Sequence, residues 1–587
     1  MKALFRHLLI ASIALVASPV LAQDDCIEFR GKCVKQNRTS LSIDISSASD
    51  DLAGIEQLSW LERVWVRGKG EDIAQVDISI LSELPELTFI SFENVKLATG
   101  SDLSGSNITG LTINGGTSDL VMLEQLPKLE TLRLIDLSGE TRLNLGELHN
   151  IQTVRLENVK LATGSDLSGH NIIELFIKGG APDFVVLEQL PKLEMLRLID
   201  LSGEIQLNLG ELHNLQTVWL ENVKLATGSD LSGNNISRLT IKAGAPDFVV
   251  LEQLPKLETL RLADLSGEIQ LNLGELHNLQ TVWLDNVKLA TGSDLSSRNI
   301  IELRIIGGAP DADVLEQSSN LEPSRLPNLS DVTQFTLGEL PNLQHLSVVN
   351  ATITNPSELS NMTNLQSLWL LQAGITDLSV IADLDLKELL LRGEGLRDFT
   401  PLAQMKNISY LSLFSAGFTS LDGLDLGENF QVLAAEDSVL QDISGLANAI
   451  NLKILSLPGS QITNLDVLEN LAQFEILNVP ETPLNDVSGL GHHPKLETLL
   501  LNDTKVTDLS PLAGLVNMET LDLSRILATD LSVLAELDNL QKLRLDGTTA
   551  TDLTPLLDMD ALKEISINSQ SIIGKENLRA FIEDFGK

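Results

Sequence analysis

The chain has 587 residues, with 81 acidic against 41 basic side chains, a formal charge of −40, and only one Tyr, fifteen Phe and five Trp. So acidic a surface repels nucleic acid and anionic membranes, which excludes both as expected partners. With so few aromatics, Leu, Ile and Val must build the core.

Residues 1–22 carry Lys2 and Arg6, an apolar run from Leu8 to Ala17, and the close Val20-Leu21-Ala22. That order predicts a secretory signal peptide cut after Ala22, and the apolar run is too short to span a bilayer. No later stretch approaches the length of a membrane span, so the mature chain is expected to be secreted or periplasmic. Its two cysteines, Cys26 and Cys33, follow the cut closely and predict a disulfide in an oxidising compartment. Residues 23–57 are expected to cap the fold, with Leu41-Ser-Ile-Asp-Ile45 patterned as a strand.

Self-similarity then decides the architecture. Asn94-Val-Lys-Leu-Ala-Thr-Gly-Ser-Asp-Leu-Ser recurs at Asn158, Asn222 and Asn286, a period of 64 residues. Each block contains a finer L-x-x-L-x-L pattern: Leu126-Pro-Lys-Leu129-Glu-Thr-Leu132-Arg-Leu134 is followed 22 residues later by Leu148-His-Asn-Ile151-Gln-Thr-Val154-Arg-Leu156. Carried along the chain, this register gives 24 short strands, from Val64/Val66 to Ile565/Ile567, with one longer step of 26 residues after the first. Alternation turns the leucines inward and the middle residue outward. Return segments of about a dozen residues are too short for a helix between two turns, so turns or 3₁₀ turns are expected on the convex side. The predicted fold is a leucine-rich-repeat solenoid, a curved parallel sheet with little α-helix. One unit buries too little apolar area to offset the ordering of its backbone, so stability must come from faces shared between neighbours. The repeats divide into 58–360, holding the 64-residue super-repeats, and 361–568. Residues 569–587 should close the fold as a helix, because Leu578, Phe581, Ile582 and Phe585 share one helical face.

The later repeats, with Ile375-Thr-Asp-Leu-Ser-Val-Ile, Val506-Thr-Asp-Leu-Ser-Pro-Leu-Ala-Gly-Leu515 and Ala528-Thr-Asp-Leu-Ser-Val-Leu, resemble the short repeats of bacterial internalin-type proteins. The resemblance implies a curved scaffold used for protein recognition, often at a cell surface. Asp377, Asp508, Asp530 and Asp552 stand where a side chain would cap the next turn. One column departs from the family pattern. The Asn that usually lies eight residues after the first strand Leu is replaced by Leu137, Val159, Gly180, Ala373, Ser460, Thr504 and Thr548.

Catalytic signatures are lacking: the chain has no H-E-x-x-H, no G-x-S-x-G and no phosphate-binding glycine loop. His149, His213 and His277 are one turn position in three copies of Glu-Leu-His-Asn, and His492-His493 has no nearby carboxylate cluster. Gly100-Ser-Asp-Leu-Ser-Gly105 and its copies could offer calcium one acid per turn, but calcium takes several oxygens. A turn cap is the better reading, and no enzyme, metal or cofactor is expected.

The central outward column carries the functional signal. It holds Trp65, Arg133, Arg155, Phe176, Arg197, Trp219, Arg261, Trp283, Arg304, Arg325, Trp369 and Arg544, which is four of five tryptophans and seven of nineteen arginines. Trp and Arg dominate binding hot spots, although Arg beside Trp can also form a stacked ladder without any ligand. Copies 158–221 and 222–285 differ at eight positions, five of them in outward columns: Glu174/Arg238, Phe176/Thr240, Met195/Thr259, Ile199/Ala263 and Glu221/Asp285. The expected function is recognition of a macromolecular partner, a protein, on the concave face of strands four to fifteen. The alternative is a carbohydrate or cell-wall binder using Trp219, Trp283 and Trp369. A hydrolase acting through calcium has only the Gly-Ser-Asp turns in its favour.

Overall fold

A computed structural model describes residues 26–584, apart from 47–50, 70–74, 99, 117–119, 169–170, 181–183, 233–234, 245–247, 308–332, 393–394, 397, 415–416, 425, 437 and 558. The expected leader, residues 1–22, lies outside the described residues. The chain divides into two compact units, Met1–Arg197 and Leu198–Lys587. The expected fold is present: about 25 short strands, almost all parallel, with 3₁₀ turns between them and, among the described residues, a single α-helix.

The first unit opens on an antiparallel hairpin, Cys26–Phe29 with Lys32–Lys35. Its two turn residues, Arg30 and Gly31, both have positive φ, as a tight primed turn requires. The expected disulfide joins Cys26 to Cys33 across this hairpin, with a Cα–Cα distance of 5.4 Å. Ser40–Ile45 then pairs in parallel with Arg63–Gly68, so this segment is itself a sheet strand. Arg63–Gly68, Phe89–Glu93, Gly110–Asn114, Thr131–Ile135, Thr153–Glu157 and Glu174–Lys178 follow in unbroken register. The longer first step leaves the register intact, and its extra residues fall in the return segment. Alternation works as expected: Val64, Val66, Ile90, Leu111, Leu132, Leu134 and Val154 are fully or almost fully buried.

Each 64-residue motif has a local cause. Asn94 and Asn158 take φ 51° and 53°, the left-handed region that Asn tolerates better than most residues. The following Lys-Leu pair forms a two-residue outer strand, Lys96–Leu97 or Lys160–Leu161, on a second small ladder. The buried Ser165 hydroxyl then accepts from the Leu143 amide at 3.2 Å and donates to the Ala162 carbonyl at 2.8 Å.

The second unit repeats this plan through Thr217–Glu221, Arg238–Lys242, Thr259–Ala263, Thr281–Asp285 and Glu302–Ile306. Glu302–Ile306 pairs directly with His345–Val349, placing Arg304 opposite Ser347. The candidate Arg325 lies outside the described residues.

Beyond Tyr410–Phe414 the strands shorten to three residues, from Val432–Ala434 to Lys542–Arg544. The ladder ends where Glu564–Ile567 turns through Asn568 and Ser569 into the antiparallel strand Gln570–Ile573. The helix Lys575–Asp584 follows and buries Leu578 and Ile582; Phe585 lies outside the described residues.

The missing Asn column is replaced by another one. Just before the strands, Asn107, Asn150, Asn278, Asn364 and Asn517 donate from Nδ2 to the carbonyls of Pro85, Pro127, Pro255, Pro341 and Pro494, one repeat earlier, at 2.6–2.8 Å. Asn171, Asn235 and Asn299 bond the carbonyls of His149, His213 and His277 in the same manner.

Candidate functional site

Strand register places the first unit's candidates side by side. Arg133 lies opposite Arg155, and Arg155 opposite Phe176. Their charges are balanced locally: Arg133 bonds Glu157 at 2.7 Å, and Arg155 lies 3.5 Å from Glu174 with its guanidinium over the Phe176 ring, 5.8 Å from the centroid. Trp65 sits opposite Ser91 and packs tilted against Phe89, with ring centroids 5.8 Å apart. Arg197 is half-buried on Met195–Ile199.

The second unit holds the most ordered cluster. Arg261, Trp283 and Arg304 are consecutive register partners. The indole of Trp283 is contacted by both guanidiniums, at 5.5 Å from Arg261 and 5.8 Å from Arg304. Asp285 ties the stack together, 3.2 Å from Arg261 and 3.8 Å from Arg304, and the Trp283 Nε1–H donates to Glu302 at 2.9 Å. Asp285 is largely covered, whereas the arginine side chains remain about 40% exposed. Pairs this open contribute at most about 1 kcal/mol each to stability, and each cation–π contact roughly 0.5–1 kcal/mol. Their chief effect is positional, because two guanidinium planes are held with donor edges still reachable. An ordered side chain loses less entropy on binding.

Two further tryptophans differ. Trp219 donates from Nε1 to Glu221 at 3.2 Å. Trp369 is 43% exposed, between Ser347 and Leu390 in the register, and no charged or aromatic group among the described residues stacks on it. Arg544 stands apart near the carboxyl end, 3.9 Å from Asp522. Sequence reasoning placed Glu174 and Asp285 in outward columns but not their partners. Glu157, Glu174, Asp285 and Glu302 occupy flanking outward positions, where only the register shows which arginine or tryptophan each one meets.

The turn acids act as caps. Asp102, Asp166, Asp230 and Asp294 each accept from the amide two residues on, at 2.8 Å. Asp377, Asp508, Asp530 and Asp552 do the same toward Ser379, Ser510, Ser532 and Thr554 at 2.8–2.9 Å. Among the described residues no group of three or more His, Cys, Asp or Glu is arranged to hold a metal ion. His493 is buried in a position that Leu515 and Leu537 fill in later repeats, with Nδ1 3.1 Å from the Leu490 carbonyl and Nε2 2.7 Å from that of Leu468. Those contacts make it a packing element of the core.

A family model for leucine-rich repeats, in two copies, matches residues 494–536. No curated protein matches the sequence. The fold is similar to that of TLR13, solved in complex with ssRNA13, at 18% identity and a TM-score of 0.54, covering 90% of this chain and 77% of that one. A leucine-rich-repeat protein of Leptospira interrogans matches at 18% identity over 74% of this chain and 94% of its own, with a TM-score of 0.41. An internalin of Listeria monocytogenes matches at 17% over 77% and 89%, with a TM-score of 0.26. With in-register L-x-L strands in both units and a family match in two of the later repeats, the chain has the leucine-rich-repeat fold, and its carboxy-terminal units resemble the short repeats of bacterial internalins.

Proposed function

We propose that the chain is an exported, non-enzymatic binding protein that recognises a protein partner through the outward face of its sheet. The observation that carries this reading is the Arg261–Trp283–Arg304 stack, braced by Asp285 and Glu302. It offers large planar area and guanidinium donors already fixed in place, the combination found at interface hot spots. Export is supported by the leader-like sequence of residues 1–22 and by the Cys26–Cys33 bridge, which suits an oxidising compartment. Among the described residues no helix is long and apolar enough to cross a membrane.

The carbohydrate reading is weaker at Trp283, because sugar stacking needs an open ring face and this one is flanked by two guanidiniums. Capture from envelope and host extracts with residues 23–587, run beside an Arg261→Ala/Trp283→Ala double variant, tests the proposal. It expects a protein that the wild type retains and the variant loses. Identical retention by both, or capture of glycans alone, would overturn it.

A further inference from the structure

The flank just ahead of the strands, apart from the outward face, carries rows of side-chain amide oxygens that lysines of the chain itself occupy. Asn107, Asn171 and Asn235 donate backward to a carbonyl of the preceding repeat, which leaves their side-chain oxygens for the following one. There Lys128, Lys192 and Lys256 bring an ammonium to those oxygens at 2.5–2.7 Å. A parallel row two residues nearer the strands works alike: Lys387 reaches Gln366 and Lys563 reaches Gln541, each at 2.8 Å. An alkylammonium on a primary amide oxygen is thus a contact that this flank makes repeatedly, and the charge strengthens the hydrogen bond.

In the second unit both rows lose their lysines over three repeats. Asn299 is followed in register by Asn342, which donates to the Arg298 carbonyl at 2.7 Å. Gln280 is followed by Ile301 and then Gln344, their backbones joined at 2.8 Å per step. Lys256, in the preceding repeat, reaches back to Asn235, and Lys387, further on, is held by Gln366. Among the described residues no donor reaches the side-chain oxygens of Gln280, Asn299 or Gln344. These three, with Asn278, Ile301 and Asn342, line a cavity of about 410 Å³. His277 is the one titratable group in the lining, and the exposed Arg298 stays outside it. Gln280 and Gln344 stand two strand spacings apart, about 10 Å, with the aliphatic Ile301 between them. Amide, alkyl, amide is the complement of ammonium, methylene chain, ammonium. The formal charge of −40 draws such cations to the surface.

We propose that this pocket binds a linear aliphatic diamine of the polyamine class, with one ammonium on the Gln280 side-chain oxygen, the other on that of Gln344, and the methylene chain over Ile301. The site goes beyond the function proposed above, because it lies off the outward face and shares no residue with the Arg261–Trp283–Arg304 stack. The test is calorimetry of the mature chain with three probes: cadaverine, pentylamine, and a lysine blocked at its amino and carboxyl ends. Cadaverine is expected to bind at least tenfold more tightly than either single ammonium. Gln280→Ala combined with Gln344→Ala should weaken it at least tenfold with the circular dichroism unchanged. Ile301→Lys should abolish binding, because it sets an internal ammonium against Gln280 as Lys387 does against Gln366, and the fold accepts lysine in that row. Arg261→Ala should leave the affinity unaltered, so this proposal and the one resting on Trp283 can fail separately. Equal affinity for pentylamine would show attraction by net charge alone and overturn the proposal. Wild-type affinity in both the double amide variant and Ile301→Lys would overturn it equally. Tighter binding of the blocked lysine than of cadaverine would assign the pocket to a protein side chain and overturn the diamine assignment.

Discussion

The guanidinium of Arg261 lies 5.5 Å from the centre of the Trp283 indole, and the carboxylate of Asp285, two residues beyond that tryptophan, holds it there at 3.2 Å. The charge is thus fixed in direction before any partner arrives. Removing Asp285 should free the guanidinium without unfolding the sheet. We expect Asp285→Ala to leave the unfolding midpoint within about 0.5–1 kcal/mol of wild type while slowing or weakening partner binding. Denaturant titration and surface-based kinetics on the same preparations check both parts.

The turn caps make stability depend on acid pH. The carboxyls of Asp377, Asp508 and Asp530 are held below the usual range by backbone amides and then hydroxyls of the following serines, and that of Asp552 by the Thr554 hydroxyl and then its amide. A depressed carboxyl contributes stability that is fully present above its unfolded value, about 3.9, and is lost as pH falls through the lower folded value. The midpoint of thermal unfolding should therefore fall as pH drops below about 4. An Asp508→Asn/Asp530→Asn variant should fall less steeply. A parallel pH dependence in the two proteins would contradict the capping role.

The Asn column is open to a direct test. Asn517 donates across one repeat to the Pro494 carbonyl at 2.6 Å, and a hydrogen bond of this kind is worth about 1 kcal/mol net. Asn517→Ala should lower stability by that amount, whereas Glu536→Ala on an exposed turn should change it by less than about 0.5 kcal/mol. Urea unfolding of both variants gives the comparison.

The hairpin disulfide closes a loop with a sequence separation of only 7. Chain-entropy arguments then give it about 2 kcal/mol, at the low end of the usual range. Cys26→Ser/Cys33→Ser should lower the midpoint modestly. Because the bridge lies at one edge of the first unit, exchange protection in strands such as Thr520–Asp522 should remain unchanged. Collapse of protection throughout would show the hairpin to be an essential nucleus.

Features written within a few residues were legible in the sequence. The L-x-L alternation fixed which leucines are buried, and Asp508 before Leu509-Ser510 marked its own cap. Features written between repeats were not. Asp285 meets Arg261 only because strands one repeat apart come into register, and the Asn ladder lies on the opposite side of the strand from the column where it was expected. Two-residue outer strands such as Lys160–Leu161 are too short to leave a periodic signal.

The most direct test of the binding account is the affinity of an isolated protein partner for Trp283→Ala and Arg261→Ala, with the turn variant Asp230→Asn as control. The account predicts a loss of about 2 kcal/mol or more for Trp283→Ala, a smaller loss for Arg261→Ala with reduced salt sensitivity, and wild-type affinity for Asp230→Asn. Unchanged affinity in both outward-face variants, with loss in the turn variant, would contradict it.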